Sequence, residues 1–366
     1  MKKILLISSK DYNYYNFRSE MILELVRLGY EVVLVCPPGD KIEFFIQRGC
    51  RFVGHEMDRR GTSIINDLKL LYCYYKIFRE EKPDLVLAYT GKSSAYGGFV
   101  CRLLKIPCII NNAGLVDNSL YSPIVGIVLE TFYRLGFRKA ACMMYQNSQE
   151  RNYINKVLDN KVHYRDIPGS GVNLNTFSFC EYPKDNTIVF NYVARVVRIK
   201  GINEYLECAE RIHSKYPYTK FRIYGEYDEI EYEPRIKELE SKGAVEYCGS
   251  KLDMKPHIAS AHAVIHASYY EGMTNVILEH GAMGRPAITS DIPGCKEGVN
   301  DGETGYLFPV RNIDALVEAV EKFINLTHEQ RAEMGIAARK KMEKEFDRTI
   351  VTNIYLEEIE RIIGKA

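Results

Sequence analysis

The chain has 366 residues, a length that suits two domains of roughly 150–200 residues each. Hydrophobic residues make up 46% of it, so both domains can bury a core, and wholesale disorder is excluded. The 49 basic and 48 acidic side chains leave a formal net charge of +1, which argues against a nucleic-acid partner. Ten scattered cysteines with no CxxC pair favour a reduced, cytoplasmic compartment.

The first apolar run is short and stops at Ser8 and Ser9. A secretory signal peptide needs a longer apolar region, so we expect a buried first strand here. No apolar run approaches the roughly 18–20 residues that are needed to span a bilayer. We therefore expect a cytoplasmic chain, either free or peripheral on the inner face of the cell membrane.

Short apolar runs alternate with helical patterns through the first half. Strands are predicted over 3–9, 31–36, 51–54, 85–89, 108–112 and 142–146. Most of these runs are continuously apolar, which is typical of parallel strands that are covered on both faces. A helix is predicted over 18–29, where Met21, Leu25 and Leu28 share one face. The alternation indicates βαβ units and a parallel sheet.

Turn-forming residues over 167–183 interrupt this pattern, which then resumes. Strands are predicted over 188–193, 220–224, 245–248, 263–266, 286–290 and 306–308, and helices over 201–216, 234–242 and 351–363. We therefore predict an α/β chain of two tandem doubly wound, Rossmann-like domains facing a cleft.

The predicted boundaries follow from these patterns. An N-terminal domain occupies 1–170, a linker 171–185 and a C-terminal domain 186–348. The last helix, over 349–366, is expected to pack back on the N-terminal domain. No GxGxxG follows a strand and no GxxxxGK[ST] is present, so the sequence lacks the two common phosphate-loop signatures.

The segment from His266 to Glu279 is the most informative one. A loop that carries Glu271 and Gly272 follows a predicted strand, and a helix is expected to begin with Thr274 as its N-cap. Helix N-termini attract phosphate, and open α/β sheets bind ligands at the carboxyl ends of their strands. An ordinary capped helix with two solvated carboxylates is the alternative.

A second cluster follows the strand over 188–193. Arg195 and Lys200 lie five residues apart just before a predicted helix, where they can hold a diphosphate from one side. A solvated basic loop is the usual explanation for such a pair. Its occurrence together with the Glu271–Glu279 segment favours a binding site.

Arg195, Lys200-Gly201 and the Glu-x7-Glu segment from Glu271 to Glu279 resemble the signature of the family 4 retaining glycosyltransferases. The resemblance continues over 282–286, 290–297 and 301–308, so it covers nearly all of the second domain. It implies a GT-B fold, in which the second domain holds a nucleotide-sugar.

The resemblance also implies roles for individual residues. Arg195 and Lys200 would grip the diphosphate, and Glu271 would face the donor sugar near the reacting carbon; these three are the expected catalytic residues. Further donor-binding residues are implied by the same resemblance: Gly225, Glu226, Gly249, Ser250 and Lys251 beside the base, Gly272, Met273, Thr274 and Asn275 beside the diphosphate, and Glu279 at the ribose hydroxyls.

The implied chemistry is front-face transfer with retention, in which fixed cations stabilise the charge that develops on the departing diphosphate. The chain has no Asp-x-Asp, so we expect neither a metal ion nor a cofactor beyond the UDP-sugar itself. His257, His262 and His266 are interpreted as structural histidines, because no cysteine or carboxylate completes a metal-ligand set.

The first domain departs from the common family pattern. It has an aromatic-rich segment over 8–18 in place of a Gly-Gly pair, and Asn111-Asn112-Ala113-Gly114 in place of a histidine. These features are similar to the subgroup that extends polyprenyl-diphosphate-linked sugars in bacterial surface-polysaccharide assembly. The residues expected on the acceptor side are Tyr14, Tyr15, Arg18, Asn112 and Gly114.

Two apolar and cationic stretches, over 69–79 and 121–139, look like helices that lie at a membrane surface. Packing of both helices on the first sheet is the alternative.

The sequence thus predicts a glycosyltransferase that moves a hexose or N-acetylhexosamine from a UDP-sugar to a lipid-linked saccharide at the cytoplasmic membrane. A soluble or different lipid acceptor, an epimerase-like reaction on a UDP-sugar, and a two-lobed nucleotide-sugar-binding protein are the alternatives.

Overall fold

The computed structural model describes residues 1–57, 64–111 and 123–366, and at 64 and 123–129 it describes the backbone only. The chain forms two compact units, and the predicted doubly wound α/β architecture is confirmed in both. The first unit contains Met1–Ser170 together with Thr349–Ala366, and the second contains Gly171–Arg348.

The first unit is built on a parallel sheet. Its strands are β1 (Lys3–Ile7), β2 (Glu31–Cys36), β3 (Arg51–Gly54), β4 (Leu85–Tyr89), β5 (Cys108–Asn111), β6 (Cys142–Tyr145) and β7 (Tyr164–Asp166). Among the described residues they are ordered β3-β2-β1-β4-β5-β6-β7. Most of their side chains are buried on both faces, as continuous apolar runs predict.

Helices cover both faces of this sheet. They are α1 (Asp11–Phe17), α2 (Ser19–Arg27), α3 (Ile42–Ile46), α4 (Ile64–Glu81), α5 (Gly91–Leu104), α6 (Pro123–Phe137), α7 (Ser148–Val157) and, at the end of the chain, α14 (Arg348–Ile363). The buried side chains of α4 to α7 share one core with the sheet. Those of α1 to α3 and α14 form the core on the opposite face.

The second unit repeats this design. Its strands are β8 (Ile188–Val193), β9 (Thr219–Tyr224), β10 (Val245–Tyr247), β11 (Ala263–His266), β12 (Ala287–Ser290) and β13 (Gly305–Phe308). Its helices are α8 (Ile202–Lys215), α9 (Glu233–Ser241), α10 (Lys255–Ala259), α11 (Asn275–Ala282), α12 (Ile313–Ile324) and α13 (His328–Glu345). The sheet order in the described residues is β10-β9-β8-β11-β12-β13, so the chain reverses its direction of travel across the sheet between β8 and β11. Such a switch point opens a crevice at the carboxyl ends of the strands.

The residues of the predicted linker lie within the second unit. The fully buried Arg285 holds them there, since its guanidinium donates to the carbonyl oxygens of Cys180 (3.0 Å) and Glu181 (2.8 Å). It also donates to Ala259 O at 2.7 Å, at the end of α10. The residues predicted to form a linker are therefore an irregular segment that is packed within the second unit.

Helix α14 packs on the first unit. The hydroxyl of Tyr355 accepts a 2.9 Å hydrogen bond from the side chain of Asn111, at the end of β5. Its buried Glu358 accepts hydrogen bonds from Arg165 at 3.1 Å and from Arg361 at 2.7 Å. These contacts join the last helix to β5 and β7.

Some elements differ from the sequence expectation. The first strand ends at Ile7 rather than at 9, and the helix expected over 18–29 is Ser19–Arg27. The sequence analysis assigned no range to strand β7 or to seven of the helices, namely α1, α3, α5, α7, α10, α12 and α13. Helix α1 has only seven residues, rich in tyrosine and asparagine, and its apolar residues do not recur at helical spacing. Strand β7 has three residues, too few to show the alternation of a strand.

The loops after β8 and β11 are in direct contact. Gly201 has a φ of 73°, and a Cβ atom built on it would lie only 2.0 Å from Ala267 O. Tyr269 N donates to Ile199 O at 3.0 Å, which ties the same two loops together. Glycine at 201 thus permits an approach that any side chain would obstruct.

We expect Gly201→Ala to lower the free energy of unfolding by at least about 3 kcal/mol, because backbone strain and a collision with Ala267 O occur together. Gly302→Ala is the matched control. Gly302 has a φ of 76°, but a Cβ atom there would meet nothing within 4 Å, so its cost should be only the strain of about 1–2 kcal/mol. Urea unfolding of both variants tests this, and equal losses would contradict the close approach.

Candidate active site

The candidate site lies at the carboxyl ends of β8 and β11, beside the switch point of the second sheet. The strand β8 leads into the loop that carries Arg195 and Lys200, and β11 leads into the loop that carries Glu271. The contact at Gly201 brings these two loops together. Two predicted site residues, 71 positions apart in the chain, therefore meet.

Lys200 and Glu271 form a largely buried ion pair. Lys200 Nζ donates to Glu271 Oε1 at 2.6 Å, and the two side chains are 20% and 14% exposed. Burial opposes the ionisation of Glu271, but the hydrogen bond from His266 and the charge of Lys200 outweigh it and lower its pKa to about 2. Glu271 is therefore an anion at neutral pH.

His266 is the last residue of β11, and its Nε2 lies 3.0 Å from Glu271 Oε1. Because an ionised carboxylate can only accept, Nε2 carries the proton and donates it. The sequence interpretation of His266 as purely structural missed this contact. Its position as the last residue of a strand, five residues before Glu271, is the signal that could have revealed it.

Arg195 lies at the same edge and is half exposed. It forms an ion pair with Asp228, a residue that sequence reasoning did not select. Val196 N donates to Glu226 O at 2.8 Å, and Asp228 N donates to Val196 O at 3.1 Å. This short pairing of the loops after β8 and β9 holds Arg195 and Asp228 side by side.

The residues expected beside the base extend the same edge. A Cβ atom on Gly225 would lie 1.9 Å from Ala194 O, so the loop after β9 runs close to the loop after β8. Gly225 N donates to Gly249 O at 3.2 Å, which adds the loop after β10. Ser250 and Lys251 follow in that loop and are exposed. Glu226 is exposed as well.

Helix α11 begins where the sequence indicated. Thr274 is its N-cap residue, without a side-chain capping hydrogen bond, and Asn275 is its first residue. Thr274 N donates to Gly294 O at 3.0 Å, while Met273 is buried beneath the loop. The N-terminus of α11 thus follows Glu271 and Gly272 directly.

Glu279 lies in the second turn of α11 and is partly buried. Burial raises its pKa to about 7, although the nearby positive charge of Arg348 acts in the opposite direction. Glu271 and Glu279 therefore have opposite pKa shifts, because Glu271 has two cationic or hydrogen-bonding partners at close range. Of these two carboxyl groups, only that of Glu279 titrates near neutral pH.

Among the described residues, those expected on the acceptor side do not form a common exposed site. Tyr14 is fully buried, and its hydroxyl donates to Leu6 O at 2.7 Å and to Val35 O at 3.0 Å. The prediction that Tyr14 lies on a binding surface was therefore wrong. Arg18 is also buried and stacks 5.1 Å from the ring centroid of Tyr89 and 5.8 Å from that of Tyr355. Both residues hold α1, α2 and α14 to the sheet rather than face solvent.

Tyr15 is partly exposed and packs edge-on against Phe44, with 5.1 Å between the two ring centroids. Asn112 and Gly114 lie outside the described residues. Of the expected acceptor-side positions that the structure describes, only Tyr15 is partly exposed to solvent.

Among the described residues, one group could offer three ligand atoms to a metal ion, namely Cys142, His163 and Glu358 in the first unit. Glu358 already accepts hydrogen bonds from Arg165 and Arg361. Two guanidinium groups on the same carboxylate disfavour a further cation there.

Two family models match the chain. "Glycosyl transferase 4-like domain" matches residues 17–164 in the first unit, and "Glycosyl transferases group 1" matches residues 176–341 in the second. No described helix is both long and apolar enough to cross a bilayer.

Relatives among curated proteins match most of the chain. The N,N'-diacetylbacillosaminyl-diphospho-undecaprenol alpha-1,3-N-acetylgalactosaminyltransferase of Campylobacter jejuni is 23% identical, over 95% of this chain and 96% of its own. The UDP-Gal:alpha-D-GlcNAc-diphosphoundecaprenol alpha-1,3-galactosyltransferase of Escherichia coli is 24% identical, over 80% of this chain and 79% of its own.

Solved structures share the fold. Anabaena Alr3699/HepE in complex with UDP and glucose superposes with a TM-score of 0.78 at 16% identity, covering 99% of this chain and 100% of that one. Sucrose-phosphate synthase from Thermosynechococcus elongatus superposes with a TM-score of 0.80 at 18% identity, covering 100% of both chains. With the two family matches and the Glu-x7-Glu segment at the carboxyl edge of its second sheet, the chain belongs to the family 4 glycosyltransferases of the GT-B fold.

Proposed function

We propose that this glycosyltransferase moves a hexose or N-acetylhexosamine from a UDP-sugar to a polyprenyl-diphosphate-linked saccharide in bacterial polysaccharide biosynthesis, with retention and without a metal ion. The observation that carries the proposal is the buried Lys200–Glu271 pair at the switch point of the second unit. Two relatives that match most of the chain, from Campylobacter and Escherichia coli, have names that specify undecaprenol-diphosphate acceptors. Together these support both the donor side and the acceptor class.

The donor diphosphate would lie against Lys200, Arg195 and the start of α11. Cleavage of the bond from the anomeric carbon to the phosphate oxygen leaves negative charge on the diphosphate. Cations already in place beside that oxygen stabilise the transition state more than the ground state. Two such side chains supply the charge that a divalent cation provides elsewhere.

Retention is supported by the chemistry in the relatives' names. UDP-galactose carries its sugar in the α configuration, and the Escherichia coli relative is named as an alpha-1,3-galactosyltransferase that uses UDP-Gal. An α product from an α donor is the retained configuration. In this chain, Glu271 would face the donor sugar as an anion and stabilise the positive charge that develops at the anomeric carbon.

A lipid-linked acceptor predicts a surface that can stay at a membrane. One face of α4 exposes Ile65, Leu68 and Tyr72 at 67%, 60% and 69%. The adjacent helices α5 and α6 expose Leu103, Phe132 and Leu135 on the same side of the first sheet. Exposed cations surround these side chains: Lys69, Lys76, Arg79, Arg102, Lys105, Arg134 and Arg138.

We name this surface the α4–α6 face and propose that it contacts anionic lipid at the inner side of the cell membrane. The stretch over 69–79, interpreted from sequence as an interfacial helix, lies in α4. The described part of the second such stretch, over 121–139, contains α6. Their buried residues, among them Tyr74, Phe78 and Phe137, pack on the sheet. Sheet packing and an exposed apolar face are therefore both features of these helices.

Turnover tests the proposed reaction. Purified enzyme, a UDP-sugar and a short polyprenyl-diphosphate saccharide should give an α-linked product, identified from its anomeric proton, and EDTA should not reduce the rate. Lys200→Met should lower kcat by about 10²–10³, because it removes one charged donor to the leaving group. Lys215→Met, on the exposed end of α8, is the matched control and should retain the rate. A β-linked product, or a rate that EDTA abolishes, would contradict the proposed mechanism.

The raised pKa of Glu279 predicts pH-dependent donor binding. Only the ionised carboxylate accepts two hydroxyl hydrogen bonds, so the affinity for UDP-sugar should be full above pH 7 and should fall as the pH drops through about 7. Calorimetry with a UDP-hexose rather than UDP tests this, because its diphosphate has no group that titrates near neutral pH. Glu279→Gln should bind more weakly and lose the pH dependence. An unchanged dependence in that variant would assign the effect to another group.

Vesicle sedimentation tests the α4–α6 face. The enzyme should bind vesicles that contain phosphatidylglycerol, and high salt should weaken this binding. Replacement of Ile65, Leu68 and Tyr72 by serine should reduce binding by roughly tenfold or more, since each large apolar side chain contributes about 1.5–3 kcal/mol when buried. Ile336→Ser, on α13, is the control at an exposed apolar position outside this face. Full retention of binding in the triple variant would exclude this face.

A further inference from the structure

We propose that His266 is a positioning residue that holds Glu271 in place as an anion while Lys200 passes from Glu271 to the donor diphosphate. This inference rests on the proposed function, because it assumes that a UDP-sugar diphosphate reaches Lys200. It assigns to His266 a part in the reaction that neither the family resemblance nor the sequence interpretation assigned.

The first step of the argument is that two donors share one oxygen. Lys200 Nζ, at 2.6 Å, and His266 Nε2, at 3.0 Å, both donate to Glu271 Oε1. A lysine ammonium on a flexible stem can turn toward a new anion, whereas an imidazole attached to a central strand cannot. The two donors therefore differ in mobility.

The second step concerns the rigidity of His266. The residue is 3% exposed and ends β11, where it pairs in parallel register with Thr289 of β12. Thr289 Oγ1 donates to His266 O at 2.8 Å, which fixes the backbone at the point where the side chain begins. His266 thus presents Nε2 from the sheet itself, while Lys200 belongs to a loop.

The third step is the change in charge when the donor binds. The diphosphate competes with Glu271 for Lys200 and brings negative charge close to a buried carboxylate. Both effects favour protonation of Glu271. The titratable groups that face Glu271 from the surrounding elements are Tyr192 of β8, Lys200, His266 and Cys295, and burial raises the pKa of Tyr192 and of Cys295.

Tyr192 and Cys295 are therefore neutral at physiological pH and add no negative charge beside Glu271, and neither side chain can carry the positive charge that Lys200 supplies. The Nε2–H of His266 remains within hydrogen-bond distance of Oε1 whichever way Lys200 turns. It keeps Glu271 ionised and pointed in one direction at the moment when positive charge develops on the donor sugar.

The experiment follows the ionisation of Glu271 directly. Protein with ¹³C-labelled glutamate side chains is titrated by ¹³C NMR with and without saturating UDP, and Glu271→Gln identifies the Glu271 carboxyl signal. The variants are His266→Leu, which removes the donor, and His266→Gln, which retains an N–H at comparable reach. His262→Gln is the matched control, since His262 is equally buried in the same unit but contacts Val189 N rather than Glu271.

With UDP bound, we expect the Glu271 midpoint in His266→Leu to lie about one pH unit or more above that of the wild type, and the midpoint in His266→Gln to lie near it. The kcat of His266→Leu should fall by about 10- to 100-fold, because a misplaced catalytic group can cost about a hundredfold. The acid limb of its kcat profile should move upward with the Glu271 midpoint. The affinity for UDP at pH 8 should change little, since the hydrogen bonds of His266 go to Glu271 and Thr289 rather than to Arg195 or Lys200.

An unchanged Glu271 midpoint in UDP-bound His266→Leu would overturn the inference, even if the rate fell, because a loss of packing alone lowers the rate without moving that titration. Equal shifts in His262→Gln would also overturn it, since they would show a general effect of altering a buried histidine. If the wild type does not bind UDP, that result would instead contradict the proposed function, and the inference that rests on it would fail as well. The binding and titration measurements separate these outcomes without any acceptor.

Discussion

The candidate site depends on one close approach between two loops of the second sheet. Gly201 brings the backbone after β8 against Ala267 after β11, and this contact places Lys200 Nζ 2.6 Å from Glu271 Oε1. Removal of two opposite charges from water costs free energy that their attraction recovers only with good geometry and further hydrogen bonds. A buried ion pair is therefore weak evidence for a stabilising role. Its position at a switch point, where doubly wound sheets bind ligands, is better explained by function.

The two cations expected at the diphosphate are paired with carboxylates in different ways. Arg195 and Asp228 are both solvent-accessible, and an exposed pair of this kind contributes roughly 0–1 kcal/mol. Lys200 and Glu271 are mostly buried and share their site with His266. An entering diphosphate can thus displace Asp228 from Arg195 at little cost, whereas its contact with Lys200 alters the surroundings of a buried anion. In the proposed reaction, the second exchange would couple donor binding to the ionisation of Glu271.

The local pattern of the sequence was sufficient for most of the fold. Continuous apolar runs located twelve of the strands, and the turn formers around 167–183 marked the change from one sheet to the next. The strand before Glu271 and the start of α11 after Thr274 were also predicted correctly, because strand ends and helix N-caps have local signatures. Strand β7 and helix α1 were missed, since neither has enough residues to show a period.

Errors at the site concern residues whose surroundings come from distant parts of the chain. Tyr14 appeared available in an aromatic-rich segment, but the sheet buries it beneath the carbonyl oxygens of β1 and β2. His266 was assigned to the core, and Asp228 was not selected, because the partner of each is recognisable only once the loops are assembled. Composition and periodicity alone determined an α/β chain of two domains, because hydrophobic spacing and turn propensity act between neighbours in sequence. The candidate site segments were recognised from the motifs at Arg195–Gly201 and Glu271–Glu279 and from their resemblance to a family. Only the tertiary structure decided that Lys200, His266 and Glu271 share one oxygen atom, because that arrangement arises from the order of strands in the sheet and from a backbone approach that a single glycine permits.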